Sequence, residues 1–214
     1  MKVLTIANRK GGVGKSTCAA HLATEAVKHN IKTIIIDLDP QKTLEEWWKR
    51  REEEDIPLVE ICEVELSHTI EKLQEKGFDL CIIDTPGDAS QNARNGIAVA
   101  DLVLIPSKPT APDLSAIGRT IGMVEEHEKK FVFVLTQCIV RAKSTFQASS
   151  VLSSFGAVAP AAISNRVSYS AAMGAGTSAC QSDRVAEEEI SEVWEFISNR
   201  LFESSRQKKK KLMA

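Results

Sequence analysis

One run near the start, Lys10-Gly11-Gly12-Val13-Gly14-Lys15-Ser16-Thr17, restricts what this chain can become more than any other stretch. An apolar run, Val3-Leu4-Thr5-Ile6-Ala7, leads into it, and Cys18-Ala19-Ala20-His21-Leu22-Ala23 follows as a helix pattern. A strand that turns through glycines into a helix N-terminus is a place to hold phosphate. The glycines let backbone N–H groups converge on the oxyanions, and the helix adds its positive end. Lys15 then reaches the β- and γ-phosphates, and the Ser16 hydroxyl ligates Mg²⁺.

The rest of the chain alternates strand and helix patterns, which argues for a mostly parallel, twisted sheet covered by helices on both faces. The fold class is therefore α/β, a three-layer P-loop NTPase. Lys32-Thr33-Ile34-Ile35-Ile36-Asp37 reads as a buried strand that ends in Asp37-Leu38-Asp39-Pro40-Gln41. Its acidic residues fall at the carboxyl end of a strand, where open α/β sheets bind ligands. A charged helix is expected from about Lys42 to Glu54, with Trp47 and Trp48 packing against the body. Leu58 to Cys62 reads as an edge strand, and Leu66 to Lys76 as an amphipathic helix.

Phe78-Asp79-Leu80-Cys81-Ile82-Ile83-Asp84-Thr85-Pro86-Gly87 is the second informative stretch. Four apolar residues ending in Asp have the look of a Walker B strand, and Asp84 would hold Mg²⁺ through water. Further strands are expected at Ala100–Pro106 and Phe131–Gln137, and a last helix at about Asp183–Glu203. That helix carries Ile190, Val193, Trp194, Ile197 and Leu201 at spacings of three and four, with an acidic opposite face. Acid opposes anionic lipid, so the stripe reads as core packing rather than a membrane surface.

Composition limits the rest. A net charge of −2 confines any nucleic-acid contact to a local patch. Cys18, Cys62, Cys81, Cys138 and Cys180 are scattered, without C-x-x-C, which suits a reducing cytosol and no thiolate metal site. The N-terminus carries no signal-peptide pattern. A single domain is expected over 1–204. A basic, disordered tail follows at 205–214, with Arg206 and Lys208, Lys209, Lys210 and Lys211.

The phosphate loop departs from G-x-x-x-x-G-K-[ST]: Arg9 stands where the first glycine belongs, and Lys10 adds a second lysine. This form resembles the deviant Walker A motif of the ParA/MinD family of P-loop ATPases. Four later segments resemble the same family. These are Asp37-Leu38-Asp39-Pro40-Gln41, Asp84-Thr85-Pro86-Gly87, Pro106 to Leu114, and Asn165 to Gly176. The likeness is specific in the first half of the chain and weaker afterwards. It is nearest to small ParA-type partition ATPases, since Lys10 lies too near Met1 to leave room for a helix-turn-helix domain before it.

The resemblance implies ATP and Mg²⁺ as cofactors and an ATP-dependent homodimer with nucleotide sandwiched between the copies. Lys10 would be the signature lysine that crosses to the other copy's phosphates, with Lys15 and Asp39 as the other catalytic residues. Asp39 would position the attacking water. Gly11, Gly12, Val13, Gly14, Thr17, Pro106 and Asp113 complete the nucleotide contacts, and Asp37 joins Ser16 and Asp84 at the metal or just behind it. Such a dimer would bind DNA without sequence preference and partition a plasmid or chromosome. It would be cytoplasmic, nucleoid-associated and stimulated by a ParB-like or other adaptor. Arg141, Lys143, Arg166 and Lys208–Lys211 are the candidate phosphate contacts. The alternatives are the same ATPase moving a protein cargo, such as a microcompartment or receptor cluster, or a MinD-like regulator at a membrane.

Overall fold

The fold is taken from a computed structural model that describes residues 1–60 and 66–212, with side chains described as far as Phe202. Six strands form one parallel sheet in the order β3-β2-β4-β1-β5-β6. They are β1 (Lys2–Ile6), β2 (Thr33–Asp37), β3 (Leu58–Val59), β4 (Leu80–Asp84), β5 (Leu102–Ser107) and β6 (Phe131–Leu135). The helices are α1 (Lys15–Lys28), α2 (Thr43–Lys49), α3 (Leu66–Glu75), α4 (Gln91–Ala98), α5 (Ala111–Glu125), α6 (Lys143–Ser153), α7 (Val167–Ala175) and α8 (Arg184–Leu212).

Alternation along each strand decides which layer a side chain joins. Leu4, Ile6, Ile35, Leu80, Ile82, Leu104 and Val134 share one cluster with α1 and α8. Val103, Ile105, Phe133 and Leu135 point the other way, toward residues of α4, α5 and α6. On that same side Ile34, Ile36, Cys81 and Ile83 meet Leu66 and Leu73 of α3. Every residue of β2, β4 and β5 is buried, as a parallel sheet with both faces covered requires.

In α8 the stripe Ile190, Val193, Trp194, Ile197 and Leu201 is buried in the core, so packing is what it serves. No helix among the described residues is long and apolar enough to cross a membrane. The basic run Lys208–Lys211 lies outside the described side chains, and Ile61–Glu65, with Cys62, lies outside the described residues.

Two boundaries differ most from the sequence reading: α8 runs on to Leu212 rather than ending near Glu203, into the stretch expected as a tail, and α2 is shorter. Helix α2 stops at Lys49 rather than near Glu54. Arg51 leaves the helical path to lay its guanidinium over the Trp47 ring, 4.9 Å from the centroid, and to pair with Asp55 at 2.7 Å. Trp47 is fully buried and donates to the Thr177 carbonyl at 2.9 Å, so it joins α2 to the end of α7.

Candidate functional site

Three strands end together at one edge of the sheet. Register pairs Ile6 of β1 with Asp84 of β4, and Asp84 with Asp37 of β2. Backbone turning out of β1 passes through Gly12 at φ +70° and Gly14 at φ +86°, then enters α1 at Lys15. A left-handed residue at the helix N-cap favours glycine, and it aims the first N–H groups of α1 outward. Opposite, the turn after β4 comes so close that a Cβ on Gly87 would lie 3.0 Å from Gly11 Cα and 3.3 Å from Lys15 Nζ. Glycine is required there by approach, not by dihedral angle.

The result is a cleft of about 540 Å³. Gly11, Gly12, Gly14, Lys15, Ser16 and Thr17 form one wall, and Asp39, Pro40 and Gln41 face them. A second hollow of about 390 Å³ shares Gly14, Thr17 and Gln137 with it and runs back to Asn165 and Tyr169. The loop is held from β6: Thr136 Oγ1 donates to the Val13 carbonyl and Gln137 Nε2 to the Gly12 carbonyl, both at 2.8 Å.

Charge in the cleft is strained by burial. Burial draws the Lys15 ammonium below its ordinary range against the pull of Asp84, Asp39 and Asp88, and an anion brought in would oppose that shift; its Nζ donates to the Lys10 carbonyl at 3.4 Å. Asp84 is fully buried, and burial pushes its carboxyl up to about 7 although Ser16 and Lys15 oppose this. Ser16 Oγ donates to Asp84 Oδ2 at 2.5 Å, while Asp84 Oδ1 has no hydrogen-bond partner among the described residues. A buried carboxylate oxygen without a partner, beside a hydroxyl at the foot of a phosphate loop, is a donor set that fits a hard cation such as Mg²⁺.

Asp37 is engaged otherwise. Its Oδ1 accepts the Asp39 N–H at 2.9 Å and its Oδ2 the Glu45 N–H at 3.0 Å. It therefore ties the Asp39 turn to the start of α2, which places it behind the cleft rather than in it. Asp39 is partly exposed and accepts the Gln41 N–H at 2.9 Å.

Four of the nucleotide contacts that the resemblance implies do not line this cleft. Val13 is fully buried. Pro106 sits inside β5 with its carbonyl accepting from Asn8 at 2.7 Å. Lys10 Nζ lies 3.2 Å from Asp113 Oδ2, at the first turn of α5, where Thr110 also donates to that carboxylate. Asp113 thus holds the extra lysine instead of touching the cleft. Among the basic residues, Arg141 and Lys143 are exposed, whereas Arg166 pairs with Asp183 at 3.1 Å and Glu189 at 3.9 Å. Thr136 and Gln137 join the site with no sequence signature of their own, and Asn165 and Tyr169 join it from the segment that resembles the family.

Over residues 4–175 the chain matches the CobQ/CobB/MinD/ParA nucleotide-binding domain. It belongs to that family. Protein ParA of Rhizobium radiobacter is 34% identical over 131 residues, covering 60% of this chain and 59% of that relative. The chain thus aligns with less than two thirds of that relative's length. The maintenance of carboxysome distribution protein A of Halothiobacillus neapolitanus is 27% identical and covers 89% of this chain and 93% of its own. The fold matches a chain of the MinC:MinD cell division protein complex of Aquifex aeolicus with a TM-score of 0.80 at 18% identity, over 93% of this chain and 96% of that one. It also matches a plasmid partition protein of Borrelia burgdorferi bound to AMPPNP, with a TM-score of 0.75 at 18% identity over 93% and 99%. The chain thus carries a nucleotide-binding domain of the CobQ/CobB/MinD/ParA family by sequence, and its fold agrees with the solved structures it matches.

Proposed function

We propose that this chain hydrolyses ATP with Mg²⁺, closes an ATP-sandwich homodimer, and uses the dimer to hold DNA without sequence preference during plasmid or chromosome partition. The observation that carries this is the place of Lys10. Its side chain is 37% exposed and does not line its own cleft, so its ammonium can serve a second molecule's phosphates once it leaves Asp113. Phosphate charges brought together at an interface repel one another unless cations are interposed.

In this reading Lys15 and the loop N–H groups bind the phosphates, Ser16 and Asp84 hold Mg²⁺, and Asp39 positions water from across the cleft. When bound, the metal supplies charge neutralisation at the terminal phosphates. The hollow reaching Asn165 and Tyr169 takes the base. Phosphoryl transfer of this kind is slow until a partner completes the site. DNA contact falls to basic side chains brought together by dimerisation, which raises their effective concentration. The tail run Lys208–Lys211 and the exposed Arg141 and Lys143 are the candidates.

The near full-length match to a carboxysome-distribution protein favours a second reading, in which the same cycle positions a protein cargo. Light scattering with AMPPNP and Mg²⁺ tests the first step. The chain should dimerise, and Lys10→Ala should bind nucleotide yet remain monomeric. A wild-type chain that stays monomeric would refute the sandwich.

A further inference from the structure

Beyond β6 the surface changes character. The loop between β6 and α6 and the first turns of α6 face the Pro160–Ser164 segment across a groove of about 820 Å³. Ile139, Val140 and Phe146 stand there 70%, 63% and 79% exposed. Apolar side chains of this size, grouped at one concave place, mark a site that something else covers. Arg141 and Lys143 lie among them, both exposed and neither in an ion pair among the described residues. No residue lining the groove is acidic. Indeed the chain carries no Asp or Glu from Lys129 to Ser182. Glu189, which accepts from the N–H of the lining residue Ser164, is also taken up by the Tyr169 hydroxyl and Arg166.

We infer that this groove docks a short acidic segment of a partner protein, anchored by one or two apolar side chains. Charge selects the occupant: a groove with cations on its rim and no acid in its wall favours an anionic ligand. Its apolar content then separates the anionic candidates. A DNA backbone offers phosphates to Arg141 and Lys143 but nothing to cover Ile139, Val140 and Phe146. An anionic bilayer would cover a convex face, whereas these residues border a hollow. A peptide with Glu or Asp beside Leu or Phe satisfies both requirements.

The groove adjoins the phosphate loop. Gln137 and Arg141 bracket the Cys138–Val140 segment, and both are held in the left-handed region, at φ +51° and +60°. Non-glycine residues in that region concentrate at functional segments. Gln137 is the residue that grips the Gly12 carbonyl, so an occupant of the groove sits one residue from a contact to the nucleotide loop. The inference rests on the reading of this chain as a partner-stimulated ATPase, and it moves Arg141 and Lys143 from the DNA face to the partner.

The test uses peptides selected from a random-sequence display library on the full chain with AMPPNP and Mg²⁺, then measured by fluorescence anisotropy. Enriched peptides should be acidic with aromatic or aliphatic anchors. Phe146→Ser and the pair Arg141→Glu/Lys143→Glu should each weaken them about tenfold or more. Exchanging Glu for Lys in the peptide should restore binding to the charge-reversed chain. No enrichment, peptides without an acidic bias, or affinity indifferent to Phe146→Ser would overturn the inference. So would a duplex DNA oligonucleotide that loses affinity for the charge-reversed chain while the selected peptide keeps it. Light scattering on the same samples reads the dimer separately. Peptide effects on a chain that never dimerises would sink the sandwich and leave the groove standing.

Discussion

The phosphate cleft and the β6–α6 groove lie on either side of Gln137 and are built on opposite terms. The cleft is made of buried polar groups held at a cost: Lys15, whose charge burial opposes, and Asp84, whose Oδ1 has no hydrogen-bond partner among the described residues. The groove is made of apolar groups held short of burial. Both are costs that a folded chain carries only where binding relieves them. The first asks for phosphate and a cation, the second for an apolar anchor and an acid. The same contrast ranks what substitutions should do, because removing a group from the cleft changes ligand and stability together, while removing one from the groove should change binding alone.

Lys15→Ala sharpens the comparison most. It takes away the cation buried against the cleft, and nucleotide affinity should fall by roughly a thousandfold or more, about 4 kcal/mol. Titration with a fluorescent ATP analogue measures it, and a loss below about tenfold would remove Lys15 from the phosphates.

Asp84→Asn separates stability from function. The folded carboxyl sits at about 7 against an ordinary 3.8, so its protonated form is favoured by the fold. The stability it allows is complete below pH 3.8 and is lost as pH rises through about 7. A neutral amide ends that dependence. The ligand-free variant should gain on the order of 3 kcal/mol at pH 8, while Mg²⁺-dependent nucleotide binding disappears. Urea unfolding across pH, with and without Mg²⁺ and nucleotide, reads both halves. A variant less stable than wild type at pH 8 would mean that Asp84 is not held at a cost.

His21 has the opposite sign. It is fully buried on α1, donates from Nδ1 to the Thr17 carbonyl at 2.8 Å and accepts the Ala179 N–H at Nε2 at 3.1 Å, so the neutral ring is what this place suits. Burial lowers it from 6.5 to about 4. Its contribution is present above 6.5 and is lost as pH falls toward 4, which amounts to about 2 kcal/mol by pH 5. In an Asp84→Asn background, where the opposing carboxyl is silent, unfolding free energy should drop by that amount between pH 7.5 and pH 5, as about 2 kcal/mol of linkage requires. A flat profile would show that His21 titrates normally.

What was legible in the sequence follows from the same physics. Lys15 and Ser16 are fixed by spacing along a single turn, and Asp84 by the apolar run before it, so local pattern suffices for both. The parallel order of β2, β4 and β1 is consistent with alternation, but register brings Asp37 beside Asp84, and no local pattern contains that. The motif around Asp113 implies a nucleotide contact, yet its partner, Lys10, lies about a hundred residues earlier in the chain. Thr136 and Gln137 hold the phosphate loop from across the fold, and a Thr-Gln pair after a strand has no signature of its own. The groove was illegible for a different reason. Ile139, Val140 and Phe146 look like core residues in sequence, and only the fold reveals that they are left outside.

Phe146→Ser is the substitution of smallest expected effect on the free protein, and for that reason it tests the contrast hardest. A phenylalanine that is 79% exposed has almost no burial to lose. It sits in the first turns of α6, where serine costs little in helix propensity. Unfolding free energy should therefore stay within about 0.5 kcal/mol of wild type, and nucleotide affinity should be unchanged. Denaturant titration decides the first and the ATP-analogue titration the second. A loss of about 2 kcal/mol or more would mean that Phe146 packs onto the body in solution. The groove would then be core in waiting, and the division between the two regions would close.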